Sequence, residues 1–171
     1  MRKLLLLSTL ILFAFILAAQ KKFYPGYIVR NTGDTIPGFI EYKGWAFNPD
    51  KIIYKKDSAG NNENTFTIRD LQGFGIPGID SYEKYNCNIS IDNTDIGSLG
   101  TGPSNESVTK EVFLKTISIN HTLKLYVFRD KIKERYYFKE AGDSLPQELV
   151  YKIYYQHKNE SSVIKIETYK N

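Results

Sequence analysis

The sequence predicts a mainly β protein: an antiparallel meander forming a sandwich or partly open barrel, with little helix, preceded by an N-terminal signal helix. Three observations carry this. The chain is rich in Tyr (13) and Phe (10), and aromatic and β-branched side chains suit a pleated, half-buried surface. Short alternating runs are separated by clusters of Gly, Asn, Asp and Pro. The first 19 residues have the tripartite form of an export leader.

In that leader Met1-Arg2-Lys3 is the positive n-region, Leu4 to Leu17 the apolar h-region, and Ala18-Ala19 the small residues before cleavage at Gln20. The apolar run is shorter than the ~20 residues that span a bilayer as a helix. Lys21 and Lys22 would also suit the flank of a retained anchor. No cysteine follows the small residues, so lipidation is not expected. The domain organisation predicted is 1–19 signal peptide and 20–171 a single β-rich domain, exported to the periplasm, envelope or exterior, with no membrane span after cleavage.

The first element is a hairpin, Gly26 to Arg30 and Thr35 to Tyr42 around Asn31-Thr-Gly-Asp34. Pro37 and Gly38 within its second arm predict a strand edge or a bulge with a register shift. A loop with Gly44, Trp45, Phe47, Asn48 and Pro49 leads to strands at 51–55 and 64–68. A single helical turn is expected over Arg69 to Gln72, then strands at 73–76 and 81–91. Asp92 to Ser107, rich in Gly, Asn and Ser, is expected to be a flexible loop, and loops that long tend to be functional or disordered. A meander follows at 108–120, 123–129, 135–139 and 148–155. The tail from Ser161 to Tyr169 reads as a strand or a helix, with strand preferred.

Charge is near balance. The chain carries a formal +4, and loss of Arg2 and Lys3 with the leader leaves 21 basic against 19 acidic residues, a formal +2. That is not the balance of a nucleic-acid binder. The distribution is uneven, with 8 acidic and 2 basic residues from Asp57 to Glu106, and 8 basic and 3 acidic from Lys110 to Lys139. Such segments read as solvated faces or as a basic surface turned toward an anionic envelope component.

Tests for chemistry return little. Cys87 is the only cysteine, so it has no intramolecular disulfide partner. With only His121 and His157 as imidazole bases, and no Gly-x-Ser-x-Gly elbow, no catalytic triad is expected. Two distant histidines and one cysteine do not make a zinc site. Asp92, Asn93 and Asp95 are oxygen donors in a Gly-rich loop, but the EF-hand order is absent. Paired carboxylates of a glycoside hydrolase leave no sequence signature and stay open as a minor alternative. No cofactor, metal or catalytic residue is therefore predicted.

Gly26-Tyr-Ile-Val29 followed by Gly33-Asp-Thr-Ile-Pro-Gly-Phe-Ile40 resembles the opening hairpin of a group of uncharacterised exported bacterial proteins. The similarity extends to Arg69-Asp70-Leu71, Gly73-Phe74, Val112 to Lys115, Leu125-Tyr126, Tyr137-Phe138 and Glu148 to Val150. It implies an exported β-rich fold and no particular activity.

The functional expectation is a non-enzymatic, exported interaction or structural protein with an envelope protein or a glycan as partner. The alternative is a glycan- or small-ligand-binding β-module, with Trp45 and Phe47 as its stacking platform. A Trp beside Pro49 more often plugs one end of the core than it serves as a stacking platform. Oligomeric state is not legible.

Overall fold

The computed structural model describes residues 21–120, 122–158 and 161–170. The predicted leader helix lies outside them, as does His121.

The chain is mainly β and antiparallel. Its strands are β1 (Phe23–Arg30), β2 (Thr35–Glu41), β3 (Lys51–Lys55), β4 (Asn64–Thr67), β5 (Leu71–Ile76), β6 (Asp80–Ser90), β7 (Ser107–Ile119), β8 (Leu123–Arg129), β9 (Glu134–Glu140), β10 (Gln147–Glu148), β11 (Val150–Lys158) and β12 (Ser161–Lys170). The first ten form one sheet in the order β10-β9-β8-β7-β6-β5-β1-β2-β3-β4, and β11 and β12 form a separate two-stranded ribbon. No helix among the described residues is long and apolar enough to cross a membrane.

The order contains one jump, from the edge strand β4 back to β5 beside β1. Four flat strand spacings would separate β4 from β5 by ~19 Å, whereas the step from Thr67 to Leu71 spans at most ~14 Å of extended chain. The sheet must therefore roll up. Its other half rolls too, because Glu148 on β10 reaches β6, four strands away in the ladder, where its Oε2 accepts from the Ser90 amide at 3.0 Å.

The two rolls enclose their cores on opposite faces of the one sheet. Ile28, Ile40, Ile52, Tyr54, Leu71, Phe74, Ile76, Tyr82 and Phe113 form the first core. Cys87, Ile89, Val112, Leu114, Tyr126, Phe128 and Tyr137 form the second. Successive strand residues point to opposite faces, so Phe113 enters one core while its neighbours Val112 and Leu114 enter the other. This is why β7 shows the consecutive buried run Val112-Phe113-Leu114 instead of an alternating pattern.

Several local expectations are corrected. The β1–β2 register runs unbroken through Pro37 and Gly38, opposite Tyr27 and Gly26. Pro37 is tolerated because β2 pairs with β3 only at Phe39 and Ile40, so its missing N–H deprives no partner, and its carbonyl accepts from the Tyr54 hydroxyl at 2.8 Å. No helical turn forms over Arg69 to Gln72. The Asp70 carboxylate accepts from the Thr67 amide (2.8 Å) and hydroxyl (2.7 Å), closing a tight turn from which β5 starts at Leu71. The strand expected over 148–155 is divided at Leu149, whose amide donates to the Tyr136 carbonyl at 2.8 Å. The tail is strand β12.

The segment from 92 to 107 carries a short 3-10 turn, Ile96–Ser98. It is tied down by Asp92 to Lys133 (2.7 Å), and by Gly100 and Gly102 to Tyr155 (both 3.0 Å).

Candidate functional site

A cleft of about 710 Å³ lies under the loop that joins β2 to β3. Loop geometry creates it. β2 ends at Glu41, and Gly44 turns the chain with φ +66°, a conformation that glycine adopts without steric cost. Trp45 then drops onto the first core, edge-on to Tyr42 (4.9 Å between centroids), Tyr82 (5.6 Å) and Phe74 (5.7 Å). Two residues later Phe47 points outward, 47% exposed.

Asn48 anchors the far end of the loop. Its Nδ2 donates to the carbonyls of Phe113 (2.7 Å) and Val127 (3.0 Å), and its Oδ1 accepts from the Arg129 amide (3.0 Å). Its own amide donates to the Arg129 carbonyl at 3.0 Å. Both side-chain donors and the side-chain acceptor are thus engaged, and the loop is fastened across β7 and β8.

Ile52, Val112, Phe113 and Phe128 supply an apolar wall drawn from both cores, with Trp45 and Phe47 on the loop side. Lys43, Asp50, Lys51, Lys110, Glu111 and Asp130 supply a mixed polar rim. The Lys110 ammonium sits 5.6 Å from the centre of the Phe128 ring, a favourable cation–π position. Glu41 is only 5% exposed, and its Oε2 lies 3.4 Å from the Lys43 ammonium. Burial would raise the Asp130 carboxyl, but the amides of Lys133 and Ile132 and the Arg135 guanidinium outweigh it and hold the group below the usual aspartate range.

The two residues singled out from sequence are therefore brought to one cleft in different roles. Trp45 is half-buried and wedged among three rings; Phe47 offers the free aromatic surface. Sequence reasoning missed Asn48, Glu41 and Lys110. An Asn beside Pro49 reads as an ordinary turn former, and nothing local announces its partners 65 and 79 residues away.

The uneven charge of the sequence resolves into ion pairs. Basic residues of the segment 110–139 meet acidic ones of the segment 57–106: Lys115 with Asp80, Lys124 with Glu83 (2.9 Å), and Lys133 with Asp92 (2.7 Å). Arg129 and Arg135 pair within their own segment, with Glu134 and with Asp130 (3.0 Å). The Arg135 side chain is almost fully buried. Its Nε donates to the Ser90 carbonyl at 2.6 Å, and its plane lies 5.8 Å from the centre of the Phe128 ring.

A second polar group sits on the outer part of the second core. Glu83 Oε2 accepts from the hydroxyls of Tyr85 (2.7 Å) and Tyr126 (3.0 Å), and Oε1 from Lys124 (2.9 Å). Burial pushes the Glu83 carboxyl up, but the bonds from Tyr85, Lys124 and Tyr126 prevail and hold it below the usual glutamate value. Burial and the bond to Glu83 push Tyr85 up to about 12. This group reads as a structural network, since every member's polar atoms face one another.

Cys87 is 2% exposed, and burial together with the Glu148 carboxylate pushes its thiol up to about 12. A protonated, buried thiol is a poor nucleophile. Ser104 accepts from the Glu106 amide at 3.2 Å within its own loop. Asp92 is engaged by Lys133, while Asn93 and Asp95 bond within the loop. Among the described residues no three His, Cys, Asp or Glu side chains are grouped to hold a metal ion.

Fold and cleft together define an antiparallel β protein with an amphiphilic cleft at the seam between its two cores. No protein-family model matches the chain, and no curated protein or solved structure matches it.

Proposed function

We propose that this chain is an exported, non-enzymatic binding protein, and that the cleft under the Trp45–Phe47 loop receives a glycan or a similar small ligand with one apolar face and a polar rim. The observation that carries this is the outward Phe47 ring over an apolar wall, held in place by Asn48. Its volume falls in the range of about 300–1,000 Å³ common to small-molecule sites. A sugar's C–H face suits Phe47 and the wall of Val112 and Phe128, while its hydroxyls suit the Lys, Asp and Glu side chains of the rim.

A basic docking face for an anionic partner has less support, because five of the eight basic residues between Lys110 and Lys139 are paired with carboxylates. We read each rolled half of the sheet as a partly open barrel, which presents its loops at the rim. Export rests on the leader, with cleavage before Gln20.

The test is a glycan array probed with the purified protein, followed by titration of any hit against Phe47→Ala. Loss of binding by about tenfold or more, with an unchanged circular dichroism spectrum, supports the cleft. An array without hits, or a variant that binds as well as the parent, removes the glycan reading. Mass measurement of the exported chain tests the leader: a mature N-terminus other than Gln20 displaces the cleavage site, and retention in the cytoplasm overturns export.

A further inference from the structure

We propose that the ribbon strand β12 pairs, antiparallel and edge to edge, with β12 of a second copy of this chain, about a two-fold axis at Ile166.

The first support is backbone phase. The Tyr155 amide donates to the Gly100 carbonyl and the Tyr155 carbonyl accepts from the Gly102 amide, both at 3.0 Å, so these groups point away from β12. Tyr155 lies opposite Ile164, and the pair is consequently of the non-hydrogen-bonded kind. In such a pair the partner's N–H and C=O also point away. Ile164, Ile166 and Thr168 therefore direct their backbone groups to the edge of the ribbon that no strand pairs among the described residues.

The second support is what that edge carries. Val163, Ile164 and Ile166 are 52%, 39% and 55% exposed, on a ten-residue strand with neither proline nor glycine. A long, apolar edge of this kind is a template for another strand. A lone lysine would guard it. Here Lys165 is followed on the same face by Glu167, at 3.0 Å, and the strand becomes self-complementary.

Charge then selects the register. With Ile166 opposite its own copy, Lys165 of each chain faces Glu167 of the other, twice over, and Ile164 faces Thr168. A centre at Lys165 or at Glu167 would set like charges opposite one another, which is destabilising across strands. A centre at Ile164 would leave Lys165 opposite Val163. Only the Ile166 centre satisfies both charges, and there the two Ile166 residues meet as a hydrogen-bonded pair, in phase with the free edge. The result is a closed, isologous interface, because the two-fold axis uses the same edge of both copies.

The experiment is sedimentation of the purified full chain from micromolar to near-millimolar concentration, alone and as Lys165→Glu, as Glu167→Lys, and as an equimolar mixture of the two variants. The parent is expected to be a dimer and each single variant a monomer, because each sets like charges opposite one another. The mixture is expected to restore the dimer as a heterodimer, since one chain then carries two acidic groups and the other two basic ones. That restoration cannot come from the Lys165–Glu167 contact within a chain, which is broken in both variants. A monomeric parent, single variants as dimeric as the parent, or a mixture that stays monomeric overturns the proposal. Circular dichroism of each variant confirms that the ribbon remains folded.

Discussion

Asn48 and Arg129 bond each other reciprocally across 81 residues of chain: the Asn48 amide donates to the Arg129 carbonyl, and the Arg129 amide donates to Asn48 Oδ1, each at 3.0 Å. A loop residue thus imitates a strand partner for the end of β8. The exchange closes the cleft at one side and joins the first half of the sheet to the second.

Replacing Asn48 by alanine should cost about 2–3 kcal/mol, since it strands the Arg129 amide and two carbonyls with no side chain to refill the space. Urea denaturation monitored by Trp45 fluorescence measures this. A change below about 0.5 kcal/mol would mean that water replaces the side chain without loss.

Trp45 and Phe47 should separate cleanly. Trp45→Ala opens a hole among Tyr42, Phe74 and Tyr82 and should destabilise by about 2–4 kcal/mol. Phe47→Ala, on an exposed ring, should stay within about 0.5 kcal/mol. Equal losses in thermal denaturation would place Phe47 in the core and remove it from ligand recognition.

Gly26 tolerates no side chain. A Cβ there would stand 2.6 Å from the backbone carbonyl oxygen of Gly75, and a paired β5 cannot retreat without breaking the ladder to β1. Gly26→Ala is expected to cost about 1–3 kcal/mol or more, read as a lower denaturation midpoint; an unchanged midpoint would show that the two strands can part there.

Glu83 makes stability depend on acid. Its folded carboxyl titrates below the ordinary value of 4.5, so the unfolded chain binds the proton more readily. The stabilisation is complete above the ordinary value and drains away as pH falls through the folded one. Glu83→Gln should flatten stability against pH across that window. Parallel curves for parent and variant would assign the acid sensitivity elsewhere, with Asp130 the next group to test.

Cys87 should resist iodoacetamide in the native protein at neutral pH and react at once in denaturant, because the thiol is both buried and protonated. Native labelling on the time scale of the unfolded chain would show that the second core opens readily.

Strand content, the first hairpin and the meander were legible in alternation and turn residues, because those signals are local. The sequence by itself also determined roughly where most strands begin and end, and that no disulfide could form within the chain. Only the tertiary structure decided how the sheet rolls, since a short β4–β5 link and the Glu148–Ser90 contact act between strands distant in the ladder. It alone decided that Val112-Phe113-Leu114 serves two cores on opposite faces, because a run of three apolar residues looks the same in any doubly buried strand. It likewise turned two oppositely charged stretches into mutual ion pairs. The physical reason is the same in each case: pattern along a chain sets which way a side chain points, whereas what it points at depends on contacts between segments far apart in sequence.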